Sequence, residues 1–342
     1  VKVLMVRLSA IGDIVHTLPV LSALKERGAE VDWLVEPAGR PLLEGSPALR
    51  QVVAVPPARG FVVGAAARAR RQLQSAGYDV ALDLQGLWKS AAWARASRAA
   101  RVVGFDGPWR REPLSRLLLR DPVPLDPEPE HVLDKNLALL RAVGIEAVGR
   151  RDFPLPSTEP QRVAVEARLQ QIGLPEFVIL NPGGGWASKL WPPESFGVLA
   201  RGIRARGLPC LVTWGPGEEP LADRVVAASD GTATRCFPTT LLELVELSRR
   251  ARLMVAADTG PIHLACAVRT PVVGLYGPTE PARNGPFSPN DVTVRRRPVC
   301  APCHRRHCSV HEGVMEAITP AEVLAAVDRR LAQPAGPASL AV

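Results

Sequence analysis

Short apolar runs alternate with helical stretches along almost the whole chain, and this alternation limits the fold more than any other feature. The first half offers strands at residues 3–8, 31–35, 52–55, 80–84 and 102–103, and helices at 17–27, 61–74, 89–97 and 132–143. Strands that are apolar throughout and separated by helices form parallel sheets covered on both faces. A segment rich in Pro, Gly and polar residues, 144–161, then breaks the pattern and reads as a linker. The alternation resumes with strands at 177–180, 210–213, 253–256 and 272–275, and helices at 162–171, 193–206, 241–249, 261–267 and 320–331. The expected fold class is α/β, with two facing domains of parallel sheet, 1–150 and 161–331, and a mobile tail, 332–342. Folds of this kind bind ligands at the carboxyl ends of their strands, so the expected site is an interdomain cleft.

The first strand end reads "RLSAIGDIVHTLP", Arg7 to Pro19. A strand, a tight turn and a helix at this place suggest a nucleotide-binding fold. The three-glycine dinucleotide pattern is missing, however, and Asp13 stands where a phosphate would sit. A helix start favours one anion; two there repel each other. The residues alone leave open what Asp13 does if this turn does not hold a phosphate.

Charge points the same half towards an acidic partner. Between Arg59 and Arg120 there are 12 Lys/Arg against 4 Asp/Glu, which accounts for the whole net charge of +8. Nucleic acid, an anionic membrane surface or a phosphorylated, carboxylated substrate would fit, as would a plainly solvated arginine-rich face. Aromatic residues are few in this stretch, which argues against stacking on single-stranded nucleic acid. No apolar run is long enough to span a bilayer and no signal-peptide pattern opens the chain, so a cytoplasmic location is expected.

Three strand ends in the second half carry candidate binding groups. "NPGGGWASKLWPP" follows a strand with three glycines and then Lys189. Backbone amides of Gly184 and Gly185 and the lysine charge suit a phosphate, although no Gly-Lys-Ser/Thr closes a Walker A loop. "AADTGPIHLACA" places Asp258, Thr259 and Gly260 before a helix, with His263 one turn in. A simple N-cap role for Asp258 or Thr259 is compatible with ligand contact. "WGPGEE" ends in Glu219, a candidate acceptor for ribose hydroxyls. "CAPCHRRHC" carries Cys300, Cys303 and Cys308, with His304, His307 and His311 close by. The ligands crowd one short loop and no second C-x2-C pair exists, so reduced surface thiols are expected rather than a metal site. Cys210 and Cys266 lie in apolar runs and read as small buried hydrophobes.

Together, "RLSAIGDIVHTLP", "DLQGLWKSA", "NPGGGWASKLWP", "AADTGPIHLACA" and "YGPTEPARNGPF" resemble, in order and over most of the chain, the ADP-heptose:lipopolysaccharide heptosyltransferases. The resemblance implies the GT-B fold, two facing Rossmann-like domains, and inverting transfer of heptose from ADP-heptose to the Kdo/heptose inner core of lipopolysaccharide. It implies Asp13 as general base, with Ser9, Gly12, Gln85 and Gly86 on the acceptor side. Donor contacts would come from Gly184, Gly185, Lys189, Thr259, Gly260 and His263, with Asp258 on sugar hydroxyls and Glu219 and Thr239 near adenosine. It implies no cofactor and no metal. The C-terminal cysteine pattern departs from that of family members, because Val314 stands where another cysteine is usual. The implied partners are an ADP-sugar, a lipid A–Kdo acceptor and the anionic cytoplasmic face of the inner membrane, without nucleic acid. The alternatives are a related GT-B enzyme with another donor or acceptor, an NAD-dependent dehydrogenase and a nucleic-acid-binding protein. A dehydrogenase would need a G-x-G-x-x-G turn, and a nucleic-acid binder would leave both second-half turns unexplained.

Overall fold

The computed structural model describes residues 1–57, 63–156, 158–301, 303 and 313–334. Its contacts divide the chain into two units, Val1–Ser157 and Thr158–Val342.

The first unit is built on strands β1 (Lys2–Val6), β2 (Glu30–Val35), β3 (Gln51–Ala54), β4 (Val80–Asp83), β5 (Arg101–Phe105) and β6 (Asp121–Val123). They form one parallel sheet in the order β3-β2-β1-β4-β5-β6. Side chains alternate across a strand, so β1 feeds two core layers. Val3 and Met5 pack with Leu18 and Leu21 on one face; Leu4 and Val6 pack with Ala69 and Leu73 on the other. The covering helices are α1 (Ile11–Val15), α2 (Leu18–Glu26), α3 (Val63–Ser75), α4 (Trp88–Ala96) and α5 (Val132–Ala138).

The helix expected over residues 17–27 is present as α2, with Pro19 in its first turn, and a short helix that the sequence does not announce, α1, precedes it. One expectation changes. The expected linker 144–161 is mostly bound to the first unit. Arg150 pairs with Glu26, Arg151 clasps Asp134 at 2.8 Å, and the Ser46 hydroxyl donates to the Pro154 carbonyl at 3.0 Å. Phe153 and Leu155 pack on the core of that unit.

The second unit opens with α6 (Glu159–Gln171), which begins three residues before the expected start. It continues with β7 (Val178–Asn181), α7 (Pro193–Arg204), β8 (Cys210–Val212), α8 (Glu219–Ala228), β9 (Ala233–Arg235), α9 (Leu241–Arg250), β10 (Leu253–Ala257), α10 (Gly260–Ala267), β11 (Val272–Tyr276), α11 (Pro281–Asn284), β12 (Val292–Arg295) and α12 (Pro320–Leu331). The sheet is again parallel, in the order β12-β11-β10-β7-β8-β9. Its core joins Val178, Leu180 and Val255 to Phe196 and Ile203 of α7 and Val323 and Val327 of α12.

Both sheets have the doubly wound order, and it positions the site. Strand order reverses between β1 and β4 in one unit and between β7 and β10 in the other. A crevice opens at such a switch point because the loops leaving the two strands run to opposite faces. The turns after β1, β4, β7 and β10 contain Asp13, Gln85, Lys189 and Asp258, respectively. Residues 335–342 of the expected tail lie outside the described residues. Among the described residues, no helix is long and apolar enough to cross a membrane.

Candidate functional site

In the first unit, the turn after β1 is organised around Arg7. Its side chain is almost fully buried and donates to the Leu84 carbonyl, while its own carbonyl accepts from Trp33 Nε1 at 3.1 Å. This anchored guanidinium meets Asp13 Oδ1 at 2.7 Å. The Ala10 amide reaches the other carboxylate oxygen, Oδ2, at 3.3 Å. Asp13 is thus held from behind while 45% of its side chain remains exposed. Ser9 and Gly12 beside it are half-buried.

The turn after β4 is fastened to the same place. Gln85 Oε1 accepts from the Leu8 amide at 2.9 Å, and the Gly86 amide donates to Asp83 Oδ1 at 3.2 Å. Gly86 has a φ of +74°, and Arg110 packs against its α-carbon. The Asp83 carboxylate and Arg110 form a fully buried pair at 2.5 Å. Part of the basic excess is therefore structural. Arg110, Arg116, Arg101 and Lys89 are all paired, with Asp83, Asp106, Asp121 and Glu36.

In the second unit, the turns after β7 and β10 meet. A Cβ on Gly184 would come within 2.9 Å of the Thr259 methyl group, so only glycine allows this approach. Lys189 leaves the first turn and donates to Asp258 Oδ2 at 2.6 Å and to the Asp258 carbonyl at 3.1 Å, with Trp186 beneath its ammonium. Asp258 is buried and also accepts from Asn284 Nδ2 at 2.7 Å, and its Oδ1 lies 3.2 Å from His263 Nε2. The His263 ring stacks on Phe287. Burial alone would raise the Asp258 carboxyl. The His263 hydrogen bond and the Lys189 charge outweigh it and hold the group far below the usual carboxylate range. Thr259 caps α10 in extended conformation, its hydroxyl turned back to the Ala257 carbonyl at 3.2 Å, and Gly260 opens the helix.

The sequence points to Glu219, but the carboxylate at the glycine loop is that of Glu218. It accepts from the Gly184 amide and from the Gly215 amide, both at 2.8 Å, and so ties the turns after β7 and β8 together. A Cβ on Gly183 would fall 2.0 Å from this carboxylate. Glu219 is instead the first residue of α8. Gly185 has open space around its α-carbon. Thr239 sits half-buried in the loop after β9, two strands from β7.

Arg7, Glu218 and Asn284 are the site residues that sequence reading passes over. A charge closing the apolar run of β1 was the available sign for Arg7. The other two gave no sign beyond belonging to the motifs. Among the described residues no group of three or more His, Cys, Asp or Glu is placed to hold a metal. Of the C-terminal cluster, Cys300 is exposed and Cys303 half-buried, while Cys308, His304, His307 and His311 lie outside the described residues. Burial pushes the Cys210 thiol up to about 12 and the Cys266 thiol well above its ordinary value, so both are inert packing groups.

Comparison with known proteins places the chain among related sequences and structures. A lipopolysaccharide heptosyltransferase 1 of Pseudomonas aeruginosa is 30% identical over 90% of this chain and 87% of its own length. The Escherichia coli K12 protein of the same name is 28% identical over 86% of this chain and 93% of its own. Among solved structures, E. coli heptosyltransferase WaaC with ADP covers 96% of this chain and 100% of its own, with a TM-score of 0.77 at 23% identity. E. coli ADP-heptose lps heptosyltransferase II covers 97% and 99%, with a TM-score of 0.76 at 21% identity. The fold is thus the GT-B fold of these enzymes. The profile of glycosyltransferase family 9 (heptosyltransferase) matches residues 66–313, and the chain belongs to that family of glycosyltransferases.

Proposed function

We propose that this enzyme moves heptose from ADP-heptose to the Kdo/heptose inner core of lipopolysaccharide, with Asp13 as general base. The observation that carries the reading is the half-exposed Asp13 carboxylate, backed by Arg7, at the switch point of one sheet, with the Lys189–Asp258 pair and His263 at the switch point of the other. The acceptor hydroxyl loses its proton to Asp13 as its oxygen bonds to the anomeric carbon. The bond from that carbon to the diphosphate oxygen breaks, and ADP leaves with the electron pair. One carboxylate suffices, because a single displacement inverts the anomeric centre without an enzyme nucleophile.

The leaving diphosphate needs positive charge rather than a strong acid. Lys189 supplies it. Its ammonium has three protons, and Asp258 takes two of them, which leaves one for a phosphate oxygen. The Gly185 amide, the start of α10 at Thr259 and Gly260, and His263 would complete the diphosphate seat, with Glu219 and Thr239 toward the adenosine. In this reading Asp258 orients Lys189 and His263 as well as meeting sugar hydroxyls. Ser9, Gly12, Gln85 and Gly86 shape the acceptor side. Because ADP is already a good leaving group, the reading invokes no cofactor. The enzyme would work in the cytoplasm, peripherally, on the inner face of the inner membrane.

Calorimetric titration with ADP-heptose, ADP-mannose, ADP-glucose and UDP-sugars tests the donor. ADP-heptose should bind most tightly and release ADP only when a Kdo-bearing acceptor is added. Equal or tighter binding of a UDP-sugar would remove the donor assignment.

A further inference from the structure

Two leucines of the first unit stand open to solvent on a surface that also carries unpaired positive charge. Pro113–Leu118 form a 3-10 turn between β5 and β6. Such a turn repeats every three residues, so Leu114 and Leu117 stack on one face. They are 67% and 70% exposed. The opposite row is pinned inward. Ser115 is buried, accepts from Arg110 Nε at 2.8 Å and donates to the Glu112 carbonyl at 2.6 Å. Because Arg110 is itself locked on Asp83, the turn cannot roll to hide its leucines. Trp88, also exposed, is tied to the same turn through its amide, which donates to Glu112 Oε2 at 2.5 Å.

One exposed leucine is ordinary; two stacked on a braced turn beside a tryptophan mark a contact surface. The charge around them says what kind. Arg111 and Arg120 flank the turn, both exposed and without an ion pair among the described residues, and Arg116 is exposed beside them. The partner must therefore be apolar and anionic at once. A second copy of this chain would set arginines against arginines, since a two-fold contact repeats one patch on both sides. Nucleic acid offers the charge but no apolar layer for leucine. A bilayer containing anionic lipid offers both.

We propose that this turn docks the enzyme on an anionic bilayer surface, with Leu114 and Leu117 entering the boundary between headgroups and acyl chains and Arg111 and Arg120 meeting lipid phosphates. The inference deepens the heptosyltransferase reading, on which its biological sense rests, by naming the face turned to the membrane that carries the acceptor.

Sedimentation of the full chain with phosphatidylglycerol–phosphatidylcholine vesicles, and with phosphatidylcholine vesicles alone, tests it. The protein should bind the anionic vesicles, more weakly as salt rises. The double variant Leu114→Gln/Leu117→Gln should bind them about tenfold more weakly, the scale of losing two partly buried apolar side chains. Its ADP affinity and its transfer to a soluble, deacylated acceptor should be unchanged, which shows that it folds. Equal vesicle binding by the double variant, or no vesicle binding by the parent protein, would overturn the proposal. So would a parent dimer that the substitutions dissociate, because the face would then join two copies. Vesicle binding needs no catalysis, so a failure of the heptose-transfer reading would leave this result standing.

Discussion

Asp13 and Asp258 hold corresponding places in the two sheets. Each lies just beyond a strand that borders the switch point, at or before the start of a helix. Their surroundings differ. Asp258 is buried and shared among Lys189, His263 and Asn284, so it is a hub that fixes other groups. Asp13 has one cationic partner behind it and 45% of its side chain open. A carboxylate with a free approach can take a proton from a substrate; one with three internal partners cannot do so without first breaking them. The same strand–turn–helix construction thus leaves an open carboxylate in one unit and a fully engaged one in the other.

The largest effect should come from Asp13→Asn. It keeps the size of the side chain and can still accept from Ala10, but it cannot take a proton. Turnover should fall by about two to four orders of magnitude with ADP affinity intact, measured by steady-state ADP release beside calorimetry. Turnover near that of the parent would erase the distinction between the two acids.

Next is Asp258→Ala, which leaves the Lys189 ammonium, 16% exposed, without its partner. Breaking such a pair should cost about 3 kcal/mol in a denaturant melt. The effect has a pH signature. The Asp258 carboxyl is held below its unfolded value, so its contribution is complete above the ordinary carboxylate range and fades as pH falls towards the folded value. Parent and variant should therefore differ fully at neutral pH and converge in strong acid. A constant difference across pH would mean that packing, not charge, makes Asp258 a hub.

The smallest effect is expected for Lys189→Ala, read as ADP affinity. Loss of one charge-assisted contact should weaken binding by about tenfold. Unchanged affinity would place the diphosphate elsewhere in the second unit and sharpen the role of Lys189 into a purely internal one.

What the sequence made legible follows physical rules. Central strands could be read because burial on both faces leaves them uniformly apolar, as in "VKVLMV" and "RLMVAA". The edge strands β6, β9 and β12 were missed because they are three or four residues long, partly exposed and mixed in polarity. Helix α8 is hard to read from the sequence because Gly215, Gly217 and Pro220 are turn residues as readily as a helix start, although Pro is well placed in a first turn. Candidate site residues stood out where a charge or a glycine closed an apolar run. Glu218 and Glu219 are adjacent and chemically identical in sequence, and only the backbone path decides which carboxylate faces the glycine loop. Asn284 reaches Asp258 from 26 residues away, a pairing that no local pattern encodes.

The Glu218 bridge has a thermodynamic consequence for anything that docks on the glycine loop. The Gly184 amide already donates to a carboxylate. A phosphate oxygen that takes this proton exchanges one charged acceptor for another, so the number of hydrogen bonds made by that amide does not change. Its part in affinity is then only the difference between two similar bonds, while the released Glu218 side chain must find new solvation. Net affinity for a diphosphate at this loop would accordingly come from groups with unspent capacity, such as the third proton of Lys189. With a phosphate docked there, the glycine loop would be an exchange site of modest net affinity, which would suit an enzyme that must release a nucleoside diphosphate.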